Sequence, residues 1–237
     1  MIDKDMPART AIERWTSDLR EWAIPQVILD TAPDDPWRFS PRPFAARADR
    51  ALRTTTPTPS TRRAMEALPI GGLVLDIGSG AGAASLPLLT RASGLVAVDT
   101  GSDMLEELRA RVPAGIALTL VQGRWPDVAT EVPQVDVVVC NHVAYNLPDI
   151  DQAVLRMTEK ARRRVVLELT RDHPRSSQNF LWPIFHGVDR PTRPTAADAV
   201  DVIRGCGFPL TSRNGRLRTC SSRHRTRRIS LVPYAVI

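Results

Sequence analysis

The fourteen residues Leu73-Val74-Leu75-Asp76-Ile77-Gly78-Ser79-Gly80-Ala81-Gly82-Ala83-Ala84-Ser85-Leu86 constrain this chain more than any other stretch. An apolar run ends in an acid, three glycines alternate, and small residues then open a helical pattern. That order reads as a buried strand, a tight turn and a helix over 83–91. Glycine at every second position permits positive φ and keeps side chains away where a ligand must touch backbone. The stretch therefore predicts a nucleotide-like cofactor held at the end of a strand.

The chain repeats the same unit downstream. Gly94–Asp99, Ile116–Val121, Val135–Cys140 and Val165–Leu169 read as further apolar strands, with helices over 103–111, capped by Ser102, and over 151–162. Continuous apolar strands alternating with amphipathic helices imply an α/β fold, a Rossmann-like doubly wound and mostly parallel sheet. Upstream, Ala11, Ile12, Trp15, Leu19 and Trp22 fall at helical spacing over 8–23, and Ser60 reads as the N-cap of a helix over 61–68. Between them, Pro33, Pro36, Pro41 and Pro43 accompany Trp37, Phe39 and Phe44, a proline density that predicts no regular helix. Its aromatics are either a lid over a pocket or a strap on a core edge. A second aromatic cluster, Phe180, Leu181, Trp182, Phe185 and His186, precedes a helix over 196–204 capped by Thr195. Three parts result: an N-terminal helical and Pro/aromatic cap (1–59), a cofactor-binding core (60–210) and a basic tail (211–237).

Composition narrows the partners. Cys140, Cys206 and Cys220 form no CxxC pair, so neither a disulfide framework nor a metal site is expected. No apolar run is long enough for a signal peptide core or a membrane span, and a cytoplasmic protein is the expectation. The net charge of +6 is a property of the tail. Arg213, Arg216, Arg218, Arg223, Arg225, Arg227 and Arg228 exceed it, and no acid follows Asp201, so the body is near neutral. Nucleic acid is thus not the expected partner.

Gly78-Ser79-Gly80-Ala81-Gly82-Ala83 fits a dinucleotide pattern as well as an alternating-glycine one. Asp76 separates the two, because a carboxylate there repels a pyrophosphate and favours a ligand bearing an amino group. Asp99, closing the second strand, is placed to grip ribose hydroxyls or to cap the following turn. On these residues the chain resembles the class I S-adenosylmethionine-dependent methyltransferases over about residues 60–207. The resemblance implies S-adenosyl-L-methionine as cofactor, with Asp76, Gly78, Gly80, Gly82, Asp99, Thr100 and Asn141 around it. Near the adenine the family usually has a Gly-Asp pair; here stand Gly123-Arg124 and then Trp125, which either stacks on the ring or packs. The family also implies an antiparallel pair of strands at the end of the sheet, a pattern that 211–228 lacks. That segment resembles a reading in another frame, an alternative end or a disordered basic tail.

The loop Cys140-Asn141-His142-Val143-Ala144-Tyr145-Asn146-Leu147-Pro148-Asp149 resembles the segment that small-molecule members place beside the reactive methyl. The Asp/Asn-Pro-Pro-aromatic motif of amine-methylating members is missing. His142 is the candidate general base and Tyr145 a second catalytic candidate; Trp37, Phe44 and His186 are candidates for substrate contact. His173 and His186 also fall where this fold places substrate loops. The resulting expectation is methyl transfer to an oxygen or nitrogen of a small organic molecule. The alternatives are an RNA methyltransferase that clamps phosphate with its arginine tail, an NAD(P)-binding oxidoreductase, and a methyltransferase-like fold retained only for binding a partner.

Overall fold

The computed structural model describes residues 6–33, 40–208, 210–211 and 228–234. Four helices come first: α1 (Met6–Arg20), α2 (Gln26–Leu29), α3 (Pro41–Arg53) and α4 (Pro59–Ala67). Strands and helices then alternate as β1 (Gly72–Ile77), β2 (Ala92–Asp99), α5 (Ser102–Arg109), β3 (Ala117–Gln122), β4 (Val135–Asn141), α6 (Ile150–Lys160) and β5 (Ala161–Thr170). The chain continues through α7 (Trp182–His186) and α8 (Ala196–Gly205) to β6 (Leu210–Thr211) and β7 (Arg228–Tyr234). The strands form one sheet in the order β3-β2-β1-β4-β5-β7-β6.

Every pairing in that sheet is parallel. The central strands are apolar on both faces because both faces are covered. One face carries Trp15 of α1 with Ile150, Val154 and Met157 of α6 and Val202 and Ile203 of α8. The other carries Ala48 of α3, Ala64 of α4 and Leu105 and Leu108 of α5. The expected antiparallel finish is corrected: β7 runs parallel to β5 from Arg164↔Arg228 to Thr170↔Tyr234. Pro233 pairs with Leu169 of β5, whereas β6 reaches only Ile229 and Ser230. Most of the arginine-rich tail, 212–227, lies outside the described residues, as do Trp37 and Phe39.

Four local expectations change. The helix expected over 83–91 is a run of turns followed by a 3-10 segment, Leu86–Thr90. Residues 78–91 must return the chain to β2, and turns consume the first eight of them, leaving no length for an α-helix. Pro41 and Pro43 do not preclude a helix but begin one, because the first turn needs no N–H donors from them. Phe44 thus sits on α3. The cap of α4 is Thr58, whose Oγ1 accepts from the Thr61 N–H at 3.1 Å, which frees Ser60 for another partner. The cap of α5 is Gly101 rather than Ser102. Thr195 does cap α8, through a reciprocal capping box with Asp198.

The N-terminal helix is part of the core. Trp15 is fully buried, stacks on Tyr145 with ring centroids 5.8 Å apart, and donates its Nε1–H to the Leu147 carbonyl at 2.8 Å. It thereby pins the loop after β4. Trp15→Ala is expected to cost about 3–5 kcal/mol of unfolding free energy, read as a lower urea midpoint with an unchanged slope.

Candidate active site

A parallel sheet brings the C-terminal ends of its strands to one edge, and chain order reverses here between β1 and β4. The crevice outside such a switch point is where this architecture binds ligands. On the β1 side lies the glycine turn, with φ of 64° at Gly78, 50° at Gly80 and 93° at Gly82. The requirement at Gly78 is double. A Cβ there would also meet Val143 Cγ2 at 2.2 Å, so the turn after β4 lies directly on the first glycine. Phe44 of α3 comes close to Gly80, 3.4 Å from where a Cβ would stand, and so covers the turn from the other side.

The polar groups beside this turn are arranged for something other than each other. Among the described residues, both carboxylate oxygens of Asp76, the hydroxyls of Ser79 and Ser85 and the amide oxygen of Asn141 are buried without a hydrogen-bond partner. Orphaned buried acceptors are costly and rare, and here they gather around one turn. Burial pushes the Asp76 carboxyl up to about 7; the nearby Ser85 pulls the other way, and the charge of Asp99 adds to the rise. Asp99 accepts from the Gly80 N–H at 2.7 Å and from the Gly101 N–H at 2.9 Å. It shapes the turn while keeping lone pairs for a hydroxyl donor. Thr100 is exposed beside it, its carbonyl accepting from Gln122 Nε2 at 3.2 Å.

Other expected site residues are placed elsewhere. Trp125 is buried, donating its Nε1–H to the Ala153 carbonyl at 3.0 Å, and so packs against α6 rather than presenting a face to an adenine. Arg124 is exposed and pairs with Asp149 at 2.7 Å, tying the loop after β3 to the loop after β4. Tyr145 is corrected from a catalytic candidate to a packing residue: its ring lies against Trp15 and its hydroxyl donates to the Thr170 carbonyl at 2.8 Å. Burial raises its pKa further, which removes it as a base. His173 stacks on Trp22 at 3.7 Å between ring centroids. Burial, with the charges of Arg175 and Arg190, pushes it down to about 4, so it stays neutral inside a wall. His186 is exposed on α7 and tilted against Trp182.

His142 is where the sequence pattern expects it, at the end of β4 next to Val143. Its φ of 63° makes it the one non-glycine residue in the left-handed region among the described residues. Sequence reasoning missed its partner. Glu168 of β5, 6% exposed, receives His142 Nε2 at 3.0 Å on one carboxylate oxygen and the Ser60 hydroxyl on the other. An acid inside Val165-Val166-Leu167-Glu168-Leu169 was the available signal, since a doubly covered strand admits a charge only with partners. Among the described residues no group of three or more His, Cys, Asp or Glu is placed to hold a metal ion, and no helix is long and apolar enough to cross a membrane.

The turn, the orphaned acceptors and Asp99 together fit a cofactor that brings an amino group and a ribose, and they fit a dinucleotide poorly. A pyrophosphate needs a helix N-terminus behind the glycines, where this chain has turns and a buried carboxylate. The Asp76 carboxyl has a testable consequence. Because its folded pKa stands above the ordinary 3.8, its contribution is full at low pH and is lost as pH rises from about 4 through about 7. Asp76→Asn is therefore expected to abolish a fall in stability that the wild type shows over that window, measured by urea unfolding in a pH series.

Parts of the chain are similar to known proteins. A family described as "Methyltransferase domain" matches residues 74–164. An uncharacterized protein of Haemophilus influenzae is 34% identical over 96 residues, which are 40% of this chain and 35% of that protein's length. Among solved structures, a methyltransferase from a complex with the Haloferax volcanii Trm112 methyltransferase activator is similar at a TM-score of 0.47 and 18% identity, over 72% of this chain and 77% of that one. CalS10, an amino pentose methyltransferase of Micromonospora echinaspora solved with S-adenosylmethionine bound, is similar at 0.40 and 24% identity, over 57% and 58%. Residues 74–164, which hold the glycine turn, Asp99 and His142, are thus similar to a methyltransferase domain, and the match spans less than half of the chain.

Proposed function

We propose that the chain is an enzyme that transfers a methyl group from S-adenosylmethionine to a small organic acceptor, with His142 as the group that handles the acceptor's proton. The observation that carries this reading is the convergence of partnerless buried acceptors on a glycine turn one strand away from a histidine-carboxylate pair. When bound, the cofactor supplies an electrophilic methyl carbon on a sulfonium, so the protein's task is alignment, exclusion of water and proton handling.

Each of those tasks has residues suited to it. Asp76 lies where an ammonium would satisfy its oxygens, and Gly78 and Gly80 allow close approach of backbone. Asp99 offers its remaining lone pairs to a ribose diol. Phe44, closing over Gly80, keeps water from the turn. The acceptor is read as a small molecule because the body of the chain is near neutral and its excess of positive charge belongs to the arginine-rich tail. Most of that tail lies outside the described residues.

Binding of S-adenosylhomocysteine by calorimetry tests the reading. Asp99→Ala is expected to weaken it by roughly tenfold or more, the usual loss for hydrogen bonds to a charged group. Gly78→Ala, which drives a Cβ into Val143, is expected to abolish it. Absence of binding to the wild type, or an unchanged affinity in both variants, would overturn the assignment.

A further inference from the structure

The connection from α1 to α2 and the one from α7 to α8 meet the segment that leaves β5. Trp22, in the first, is buried, stacks on His173 and donates its Nε1–H to the Arg193 carbonyl. Arg190, in the second, donates to the Ala23 carbonyl at 3.0 Å and to the Trp22 carbonyl. Its guanidinium carbon lies 4.4 Å from the centre of the Trp182 ring and 5.6 Å from that of Trp22. Asn179 fixes the next residue, donating to the Pro191 carbonyl at 2.8 Å. Main-chain carbonyls thus hold the cluster in place. It stands at the edge that carries the candidate site, because His173 and Arg175 come just after β5 ends at Thr170. Tyr145, in the turn after His142, meets His173 edge-on at 5.2 Å.

What the cluster lacks is an acid. Arg111 and Arg164, two partly buried arginines elsewhere in the fold, bond to Asp49 and Glu107 and to Glu66. Arg190 pairs with no carboxylate among the described residues, and burial lowers its pKa. Burial and then the charge of Arg190 lower that of Arg175. Three basic groups therefore face one another here.

Two readings compete. As a strap, Arg190 need only donate hydrogen bonds, which a neutral side chain does without setting a cation beside two basic groups. As a binding group, it keeps its charge for an anion that arrives from outside. A partly buried cation among like charges is costly unless an opposite charge meets it. The two ring contacts offset part of that cost and leave the edge of the guanidinium as the approach. The N–H groups not used by the two carbonyls form a fork there that matches a planar carboxylate. His173 adds a donor: its Nδ1 accepts from the Arg175 backbone N–H at 3.3 Å, so the neutral ring carries its proton on Nε2.

We propose that Arg190, with His173 and Arg175 beside it, receives a carboxylate carried by the methyl acceptor. This rests on the methyl-transfer reading above. The carboxylate is a handle: it holds the acceptor by a part that does not react and leaves the methyl-accepting atom to the crevice between β1 and β4.

The test titrates the full-length protein with benzoate at constant ionic strength, reading tryptophan emission, since Trp22 and Trp182 lie against Arg190. Benzoate is expected to change the emission saturably and to raise the Tm, and benzyl alcohol, the same ring without the charge, to do neither. Arg190→Gln is expected to weaken benzoate by roughly tenfold or more. Arg190→Lys is expected to weaken it by a smaller factor, since an ammonium keeps the charge and loses the fork. Phenyl phosphate distinguishes a carboxylate site from a phosphate one and is expected to bind more weakly than benzoate. No response to benzoate, equal responses to benzoate and benzyl alcohol, tighter binding of phenyl phosphate, or an unchanged benzoate affinity in Arg190→Gln would overturn the proposal. Should Arg190→Gln fail to fold, Arg190→Lys replaces it, and full wild-type affinity there overturns the proposal. S-adenosylhomocysteine calorimetry on the same proteins separates the two levels. A wild type that binds S-adenosylhomocysteine but not benzoate loses the anion site alone. One that binds benzoate but not S-adenosylhomocysteine overturns the methyl-transfer reading and the acceptor role with it.

Discussion

The structure depends on β1 and β4 lying side by side and parallel, with the turn after β4 resting on the first glycine after β1. Val143 occupies the space that a Cβ on Gly78 would need. That contact brings the end of β4 within reach of the cofactor turn, and it works only because residue 78 has neither a side chain nor a preference against positive φ. Trp15 holds the same loop from the far side through the Leu147 carbonyl and the Tyr145 ring. A helix from the beginning of the chain thus braces the edge where the chemistry is placed.

Two buried carboxylates at that edge have opposite environments. Burial pushes Asp76 towards neutrality with only Ser85 and no basic group set against it, whereas Glu168 accepts from His142 and Ser60 and is held below the usual carboxylate range. The difference follows from partners rather than depth, since both are almost wholly enclosed. A carboxylate without a basic partner gains a proton readily, whereas one that accepts from a histidine and a hydroxyl keeps its charge. A single strand, β4, separates the two, so both lie at the same edge of the sheet.

Much of the architecture was legible because continuous apolar strands and alternating glycines have few structural solutions. Asp76, Gly78, Gly80, Gly82, Asp99, Asn141 and His142 were all named from pattern, and the fold brings them to one edge. Tyr145 was named a catalytic candidate and Trp125 was left open between stacking and packing, because an aromatic in a loop motif looks alike whether it faces a ligand or the core. Only Trp15 and α6 decide that each turns inward. The helix after the glycine turn was misread because composition favours a helix there while chain length forbids it. Phe44 was placed in a segment without a regular helix because prolines that start a helix and prolines that prevent one share the same spacing.

What the sequence by itself determined is the mostly parallel sheet and the glycine turn, since each follows from local hydrophobic pattern or from backbone freedom. What only the tertiary structure decided is which polar side chains meet. Ser60 and Glu168 are separated by 108 positions, and Ser60 read locally as a helix cap until Thr58 proved to hold that place. Hydrogen bonds between distant elements leave no periodic trace in a sequence, because they depend on how helices seat on the sheet and not on spacing along the chain. His142 was visible as a residue; the partner that holds it, Glu168, came from packing.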